Sequence, residues 1–386
     1  MITDKILFIS FNYNKCYYSD HLDFISVLLE NNIPVKHLVI DWYSLDIWEK
    51  IYDTILWESP NIIYFLCDSF DIISSDLAHI YAKKIKENIN KSIHIWIQSH
   101  YEKYFQYTPF IDQYYIWAPL NFITSLQSIS WDEILFKWGD YNPKWDIDYS
   151  YYILNFNTLK YFVLESESFC RYTCTFCYKS DNTPSRTIHL WKVQKYLHIA
   201  WQLKFNYVWF LDPTINENKN LQALVHLLHS KQEFNYIFEV RPESFSYNTF
   251  KIFENIKKCI FNAWLQSVSF QVTKNIQRSF QKASYIQWIL LMKKLWKVNI
   301  DIILGLPWET TYSFFKTYFF AEKLEVNSIR IFLLENRPNA FVKKEYQGEV
   351  FFSDQYPYKI ISSNTLSSQD IWKIVSYFSS KNIDFN

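Results

Sequence analysis

Ser168-Phe-Cys-Arg-Tyr-Thr-Cys-Thr-Phe-Cys-Tyr178 places three of the chain's six cysteines within eight residues, Cys170, Cys174 and Cys177. The stretch follows an apolar run, Phe162–Glu165, that reads as a buried strand, so the cysteines fall on the loop leaving it. Three thiolates on one short loop can converge on a single cubane cluster, each binding one iron. A fourth iron is then left open to a substrate, as the vacant position of a catalytic zinc is. Two other readings stand beside this one: a zinc knuckle that borrows His189 as fourth ligand, and three unrelated cysteines. Six cysteines in 386 residues are too few for a disulfide scaffold, so the crowding points to metal or redox chemistry in a reducing compartment.

Outward from the cysteines the chain alternates strand and helix. Downstream, candidate strands are Tyr207–Leu211, Tyr236–Val240, Val268–Gln271, Asn299–Leu304 and Ser328–Leu333. Periodic helices lie between them, as over 217–229, where Leu221, Leu224, Val225 and Leu228 share one face. Six β/α units in this length suit a partial barrel, whose function gathers at the C-terminal strand ends. Upstream, Lys5–Ser10, Val35–Ile40, Asn61–Leu66, Ser92–Ile97 and Gln113–Ile116 read as buried parallel strands, with helices over 19–31 and 76–88. The sequence thus predicts an α/β protein. A Rossmann-like domain spans 1–125, a connector 126–155, a partial (β/α)6 barrel 156–350, and a tail with one helix 351–386.

Equal numbers of basic and acidic residues, 39 each, give no net field to attract nucleic acid or an anionic membrane. The opening apolar run is too short for a signal-peptide core, and no stretch is long enough to span a bilayer. The expected location is the cytoplasm.

The cysteine spacing, with the aromatic Phe176 just before the last cysteine, resembles the signature of the radical S-adenosylmethionine superfamily. The resemblance implies a [4Fe–4S] cluster on Cys170, Cys174 and Cys177, with Phe176 and Tyr178 among the cofactor-binding residues. Its open iron would chelate the amino and carboxylate groups of S-adenosylmethionine, and one electron would cleave the C–S bond to a 5′-deoxyadenosyl radical. Further matches follow in order. Phe210-Leu-Asp-Pro-Thr-Ile-Asn216 resembles the family's Phe-x-Asp-Asp-x-Phe, which would put Asp212 near the cofactor ammonium; a turn or helix-cap aspartate is the other reading. Phe238-Glu-Val-Arg-Pro-Glu243 resembles its Glu-x-Arg strand. Glu239 and Arg241 share a face by the period-two rule, Arg241 suits a bidentate grip on the cofactor carboxylate, and Glu239 would hold the arginine in place. The other reading is a solvated ion pair at a strand end. Ser269-Phe-Gln-Val-Thr-Lys-Asn275 would set Gln271 at the barrel mouth. Asp301–Thr310 resembles a Gly-Leu-Pro-Gly-Glu-Thr turn beside the adenine, with Gly305 as its first glycine, and Tyr356-Pro-Tyr matches a recurring tail. The resemblance covers about residues 160–375.

The first domain resembles the cobalamin-binding domain that often precedes this barrel. The Asp-x-His-x-x-Gly motif that supplies a histidine to cobalt is absent, and His21, directly after Asp20, otherwise reads as a helix-surface residue. Cobalamin therefore stays open. With it, the resemblance implies methyl transfer to an unactivated carbon or phosphorus; without it, hydrogen abstraction. The partners implied are a small-molecule substrate and an electron donor such as flavodoxin or ferredoxin, with no membrane. An RNA-modifying role is weakened by the neutral charge. The reading from another class is a non-catalytic zinc- or cofactor-binding module.

Three glycines stand where typical usage would give about 27, and tryptophan, at 16, is in excess. Trp308 occupies the second glycine of Gly-Leu-Pro-Gly-Glu-Thr, Trp296 a helix C-cap position, Trp264 a similar place, and Trp96 and Trp117 expected strand ends. The coincidence points to UGA codons read as glycine by the organism and translated here as tryptophan. A tryptophan-rich lineage is the alternative.

Overall fold

The computed structural model describes residues 5–12, 16–18, 20–30, 34–41, 46–66, 72–90, 92–99, 109–111, 113–116, 149–151, 153–154, 158–177, 187–336, 349–353, 358–381 and 383. Tyr178, Trp117, Tyr356 and most of the expected connector lie outside them. The chain divides into two compact units, Met1–Leu164 with Trp191–Asn206, and Glu165–Leu190 with Tyr207–Asn386. Among the described residues no helix is long and apolar enough to cross a membrane.

In the first unit the elements run β1 (Ile6–Asn12), β2 (Cys16–Tyr18), α1 (Asp20–Glu30), β3 (Val35–Asp41), α2 (Ile47–Glu58), β4 (Ile62–Leu66), α3 (Ile72–Asn88), β5 (His94–Ser99), β6 (Gln113–Ile116), β7 (Tyr161–Leu164) and α4 (Leu190–Gln202). Five strands form a parallel sheet in the order β3-β1-β4-β5-β6. β2 pairs with β7 in parallel. Ile6, Leu7, Phe8 and Ile9 are all fully buried, as a parallel strand covered on both faces requires. The strand order reverses between β1 and β4, the arrangement in which doubly wound sheets bind ligands beyond their carboxyl strand ends.

Helix α2 has no counterpart in the sequence reading. Ile47, Ile51 and Ile55 form its buried stripe, but Tyr52, Leu56 and Trp57 on other faces are exposed. Apolar residues all round blur the 3.6-residue period on which that reading depends. His21 is not on the surface either. It packs edge-on against His37 at 4.9 Å between ring centroids, and both are buried. Ser10 Oγ lies 2.9 Å from His37 Nε2 and Tyr17 OH 3.4 Å from Nδ1. Burial first, then the neighbouring His21, pushes the His37 imidazole well below its usual range, so the fold holds it neutral. The unfolded chain then binds more protons as pH falls past about 6.5. Stability contributed by His37 is present above that pH and is lost below it. Thermal unfolding from pH 8 to 5 is expected to show a falling Tm that His37→Asn largely flattens; equal slopes for the two proteins would contradict this.

In the second unit the elements are β8 (Tyr207–Phe210), α5 (Leu221–His229), β9 (Asn235–Val240), α6 (Tyr247–Phe253), β10 (Cys259–Gln266), α7 (Phe270–Asn275), α8 (Lys282–Met292), β11 (Lys297–Leu304), α9 (Thr311–Glu322), β12 (Ser328–Leu333), the antiparallel pair β13 (Val350–Phe352) and β14 (Ile360–Ser363), and α10 (Ser368–Ser379). Strands β8 to β12 lie side by side in sequence order, all parallel. Side chains alternate across this sheet. Phe210, Phe238, Phe261, Ala263 and Ile300 are fully buried on one face, where Phe253 of α6 meets Phe238 and Phe261 at 5.5 and 5.3 Å. Each fully buried phenylalanine of this kind contributes roughly 1.5–3 kcal/mol. The other face carries Trp209, Glu239, Asn262, Trp264, Asn299, Asp301, Ser328 and Arg330.

One expected strand is misplaced. Val268–Gln271 is not a strand; β10 ends at Gln266, whose φ of 65° turns the chain toward α7. Asn262 and Trp264 on the polar face broke the apolar run by which a buried strand is recognised.

Candidate cofactor site

The cysteine loop is anchored at three points within the second unit. At its entrance Asp212, just past β8, accepts hydrogen bonds from Ser166 N–H at 2.8 Å, Ser166 Oγ at 2.6 Å, Glu167 N–H at 2.9 Å and Asn218 Nδ2 at 3.0 Å. In its middle, Tyr172 OH donates to Glu217 at 2.8 Å and Arg171 pairs with the same carboxylate at 3.3 Å. Near its end, Thr175 N–H donates to the carbonyl of Ile276 at 3.1 Å, and Cys177 N–H closes a turn onto the carbonyl of Cys174 at 3.0 Å. The thiols of Cys170, Cys174 and Cys177 are free of disulfides, Cys174 buried and the other two half-buried. Burial pushes the Cys170 thiol up, against a hydrogen bond from the Tyr172 backbone and, more weakly, the charge of Arg241. Phe176 sits half-buried between the last two cysteines, and His189 is exposed. Among the described residues, no three His, Cys, Asp or Glu side chains converge as ligands of one ion. A cubane makes a different demand, since each thiolate binds its own iron.

Arg241 lies one residue beyond β9 and is almost wholly buried. Asn216 clasps its backbone in both directions at 3.2 Å. The guanidinium stacks over the Tyr172 ring at 3.7 Å and donates through Nη2 to the Ser279 carbonyl and hydroxyl at 2.6 and 2.9 Å. A fixed guanidinium within electrostatic reach of the Cys170 and Cys174 thiols is an anion-binding group beside the cysteine loop. Glu239 does not hold it in place. The strand ends between them, so the period-two rule no longer carries 241 onto the face of 239, and Glu239 Oε1 accepts from Trp209 Nε1 and Asn262 Nδ2, both at 2.7 Å, while Oε2 accepts from Trp264. Burial pushes the Glu239 carboxyl up.

Gln271 is exposed on α7 and takes no place among these groups. The residue that ends β10 is Gln266, buried, with an Oε1 that has no hydrogen-bond partner. A polar pair closing a strand, Gln266-Ser267, was the available signal; the longer match downstream obscured it. The polar face was also missed. Asn299 donates to Asn262 at 3.1 Å, Ser328 to Asn299 at 2.9 Å, and Arg330 grips the fully buried Asp301 with two bonds of 2.6 and 2.5 Å. These residues lie in register on adjacent strands, a pattern visible only once the pairing is known.

At the end of β11, Gly305 has φ of 97°, and a Cβ there would sit 2.7 Å from Ile360. Glu309 accepts from its N–H at 2.7 Å, and burial pushes that carboxyl up to about 8. Glu309 N–H in turn closes a turn onto the Leu306 carbonyl at 3.0 Å. Pro307 and Trp308 are the central residues, and Trp308 has φ of 62°, as the second central position of a type II turn demands of glycine. Among the described tryptophans no other has positive φ. Trp296 is buried with its indole satisfied by the Ile256 carbonyl at 2.8 Å, and Trp96 lies inside β5 rather than at its end. Peptide mass spectrometry of the protein from its own source is expected to find glycine at 308; tryptophan there would overturn the recoded-codon reading at this turn.

No family profile and no curated protein matches the chain by sequence. Solved structures do match its fold. The radical S-adenosylmethionine methyltransferase TsrM from Kitasatospora setae, with cobalamin and a [4Fe–4S] cluster bound, superposes with a TM-score of 0.64 at 11% identity, over 94% of this chain and 82% of that one. The same enzyme with tryptophan substrate and an S-adenosylmethionine analogue gives 0.63 at 10% identity, over 92% and 80%. The cobalamin-dependent S-adenosylmethionine radical enzyme OxsB gives 0.53 at 12% identity, over 78% and 49%. The fold is that of cobalamin-dependent radical S-adenosylmethionine enzymes.

Proposed function

We propose that this chain is a radical S-adenosylmethionine enzyme, in which Cys170, Cys174 and Cys177 hold a [4Fe–4S] cluster and a cobalamin bound by the first unit carries a methyl group to a small-molecule substrate. The observation that carries this reading is the Arg241 guanidinium stacked on Tyr172 in the middle of the cysteine loop. It sets a fixed cation beside the thiols, where the carboxylate of a cluster-bound amino acid would lie. When bound, the cluster supplies the electron that cleaves S-adenosylmethionine. The chain's own residues bind and orient. Asp212 and Glu217 fix the loop, Arg241 takes the cofactor carboxylate, and Gln266 Oε1, buried and without a donor, accepts a hydrogen bond from the bound cofactor. Gly305 admits the close approach of Ile360 at the turn. The carboxyl ends of β1 and β4, where the strand order reverses, are the place for cobalamin in the first unit.

The test is anaerobic. The full chain, reconstituted with iron and sulfide and given S-adenosylmethionine and a flavodoxin or ferredoxin reductant, is expected to form 5′-deoxyadenosine. S-adenosylhomocysteine appearing only when cobalamin is added would support methyl transfer. Zinc in place of iron in anaerobically purified protein, with no cleavage, would overturn the proposal in favour of a non-catalytic module.

A further inference from the structure

Around the cysteine loop the carboxylates turn inward and the cations outward. Arg171 pairs with Glu217 at 3.3 Å and Lys219 with Glu167 at 3.8 Å, yet the two cationic side chains are 59% and 69% exposed and the two carboxylates only 11% and 6%. Asp212, the next carboxylate here, is buried. Lys219 lies over the ring of Phe169 at 5.3 Å, and Phe169, the residue directly before Cys170, is 44% exposed. The loop meets the end of α7, where Thr175 N–H donates to the Ile276 carbonyl and Thr173 Oγ1 donates to Gln277 at 3.3 Å. Lys274, two residues before Ile276, is exposed. Among the described residues of 165–177, 211–220 and 268–283, no carboxylate is exposed. A chain with equal numbers of acidic and basic residues thus shows solvent a local excess of cations around an exposed aromatic ring, next to one of the three cysteines.

We propose that this surface, built on Phe169, Arg171, Lys219 and Lys274, docks a small acidic one-electron carrier protein that reduces the cluster. The inference rests on the proposed function and deepens it by giving the reductant its place on the chain. Reductive cleavage of S-adenosylmethionine consumes one electron, which must be delivered from outside. The carrier loses that electron and the cluster gains it, with no bond made or broken at the surface. Exposed cations steer an anionic carrier and fix its orientation, while Phe169 supplies an aromatic contact at the centre. Redox encounters of this kind bury less than about 1,200 Å², so one ring and three cations are enough to carry one. The position of the ring selects a redox partner over other anions, because Phe169 is bonded to Cys170 and contact there brings the carrier to the edge of the loop that holds the cluster.

The test uses the full chain with its cluster reconstituted, an acidic flavodoxin with its reductase, and the double variant Lys219→Glu/Lys274→Glu. Lys258→Glu/Lys297→Glu, at exposed positions where β10 and β11 begin, is the control with the same change in net charge. With flavodoxin as reductant, 5′-deoxyadenosine formation is expected to fall at least about tenfold in the first variant and to stay within about twofold in the control. With dithionite, a small reductant that needs no docking, both variants should match the unsubstituted chain. Fluorescence anisotropy of labelled flavodoxin, titrated with each protein, reads binding without cleavage. It should show the same order of affinities, and binding to the unsubstituted chain should weaken as salt is raised. An unchanged flavodoxin-driven rate in the first variant, an equal fall in the control, a matching fall with dithionite, or unchanged flavodoxin affinity would each overturn the proposal. Absence of cleavage by the unsubstituted chain with either reductant would instead overturn the proposed function, and the anisotropy would still decide the docking surface.

Discussion

Cys174→Ala protein, reconstituted anaerobically, is expected to hold little iron and to form 5′-deoxyadenosine only at background level. Cys174 is the buried member of the three and lies between the other two on the loop. Its backbone carbonyl already closes the turn onto Cys177, so alanine keeps the loop's course and removes only the thiolate. Among the described residues no other His, Asp or Glu completes a ligand set with the remaining thiols. Two thiolates cannot hold three irons of a cubane, so the loss should be of the whole cluster rather than a graded weakening. Cys259→Ala is the matched control. That thiol is also buried, but it sits on β10 against the Ile256 carbonyl at 3.7 Å, and burial pushes its ionisation far up. It should keep both iron and activity. Loss in both proteins would mean that the assay reads general destabilisation; retention by Cys174→Ala would remove the cluster assignment altogether.

What the sequence reveals here depends on how local the determinant is. The cysteine loop, the Gly305 turn and the apolar strands of both units are legible because spacing, turn chemistry or an unbroken apolar run marks each within a few residues. Arg241 was also within reach, since a strand ending in Arg-Pro sets the arginine at the strand's C-terminal edge. Its partners were not. Tyr172 and Ser279 lie far from it in sequence, and only the fold shows that they, rather than Glu239, receive the guanidinium. The same limit hid the polar face. Asn262, Asn299 and Ser328 form a line because three strands pair in one register, and register is a long-range property. Strand β10 was missed for a related reason: its polar side chains face other strands' polar side chains, so an interior strand reads as an amphipathic one.

The second large effect concerns Asp212, whose role shifted from the sequence to the fold. The sequence resemblance set it near the cofactor ammonium; in the structure both of its oxygens are taken by the start of the cysteine loop. Oδ2 accepts the Ser166 N–H, and Oδ1 accepts Ser166 Oγ, the Glu167 N–H and Asn218 Nδ2. Burial pushes the carboxyl up to about 7 while these donors pull it down, so the group is kept for its acceptors, at the cost of its desolvation. Asp212→Asn tests this. In one orientation the new amide N–H2 faces the Ser166 N–H, and in the other it faces the Glu167 N–H and Asn218, so a buried donor meets a donor either way. The expected cost is about 2–3 kcal/mol in urea unfolding, and Ser166→Ala, which removes one donor and leaves the acceptor satisfied, should cost about 1 kcal/mol. Because the bonds lie only a few residues before Cys170, the asparagine protein should also lose its cluster faster in air than Ser166→Ala does. If Asp212→Asn instead leaves stability intact and raises only the concentration of S-adenosylmethionine needed for cleavage, then the carboxylate serves the cofactor directly, and the anchor for the loop must be sought at Glu217.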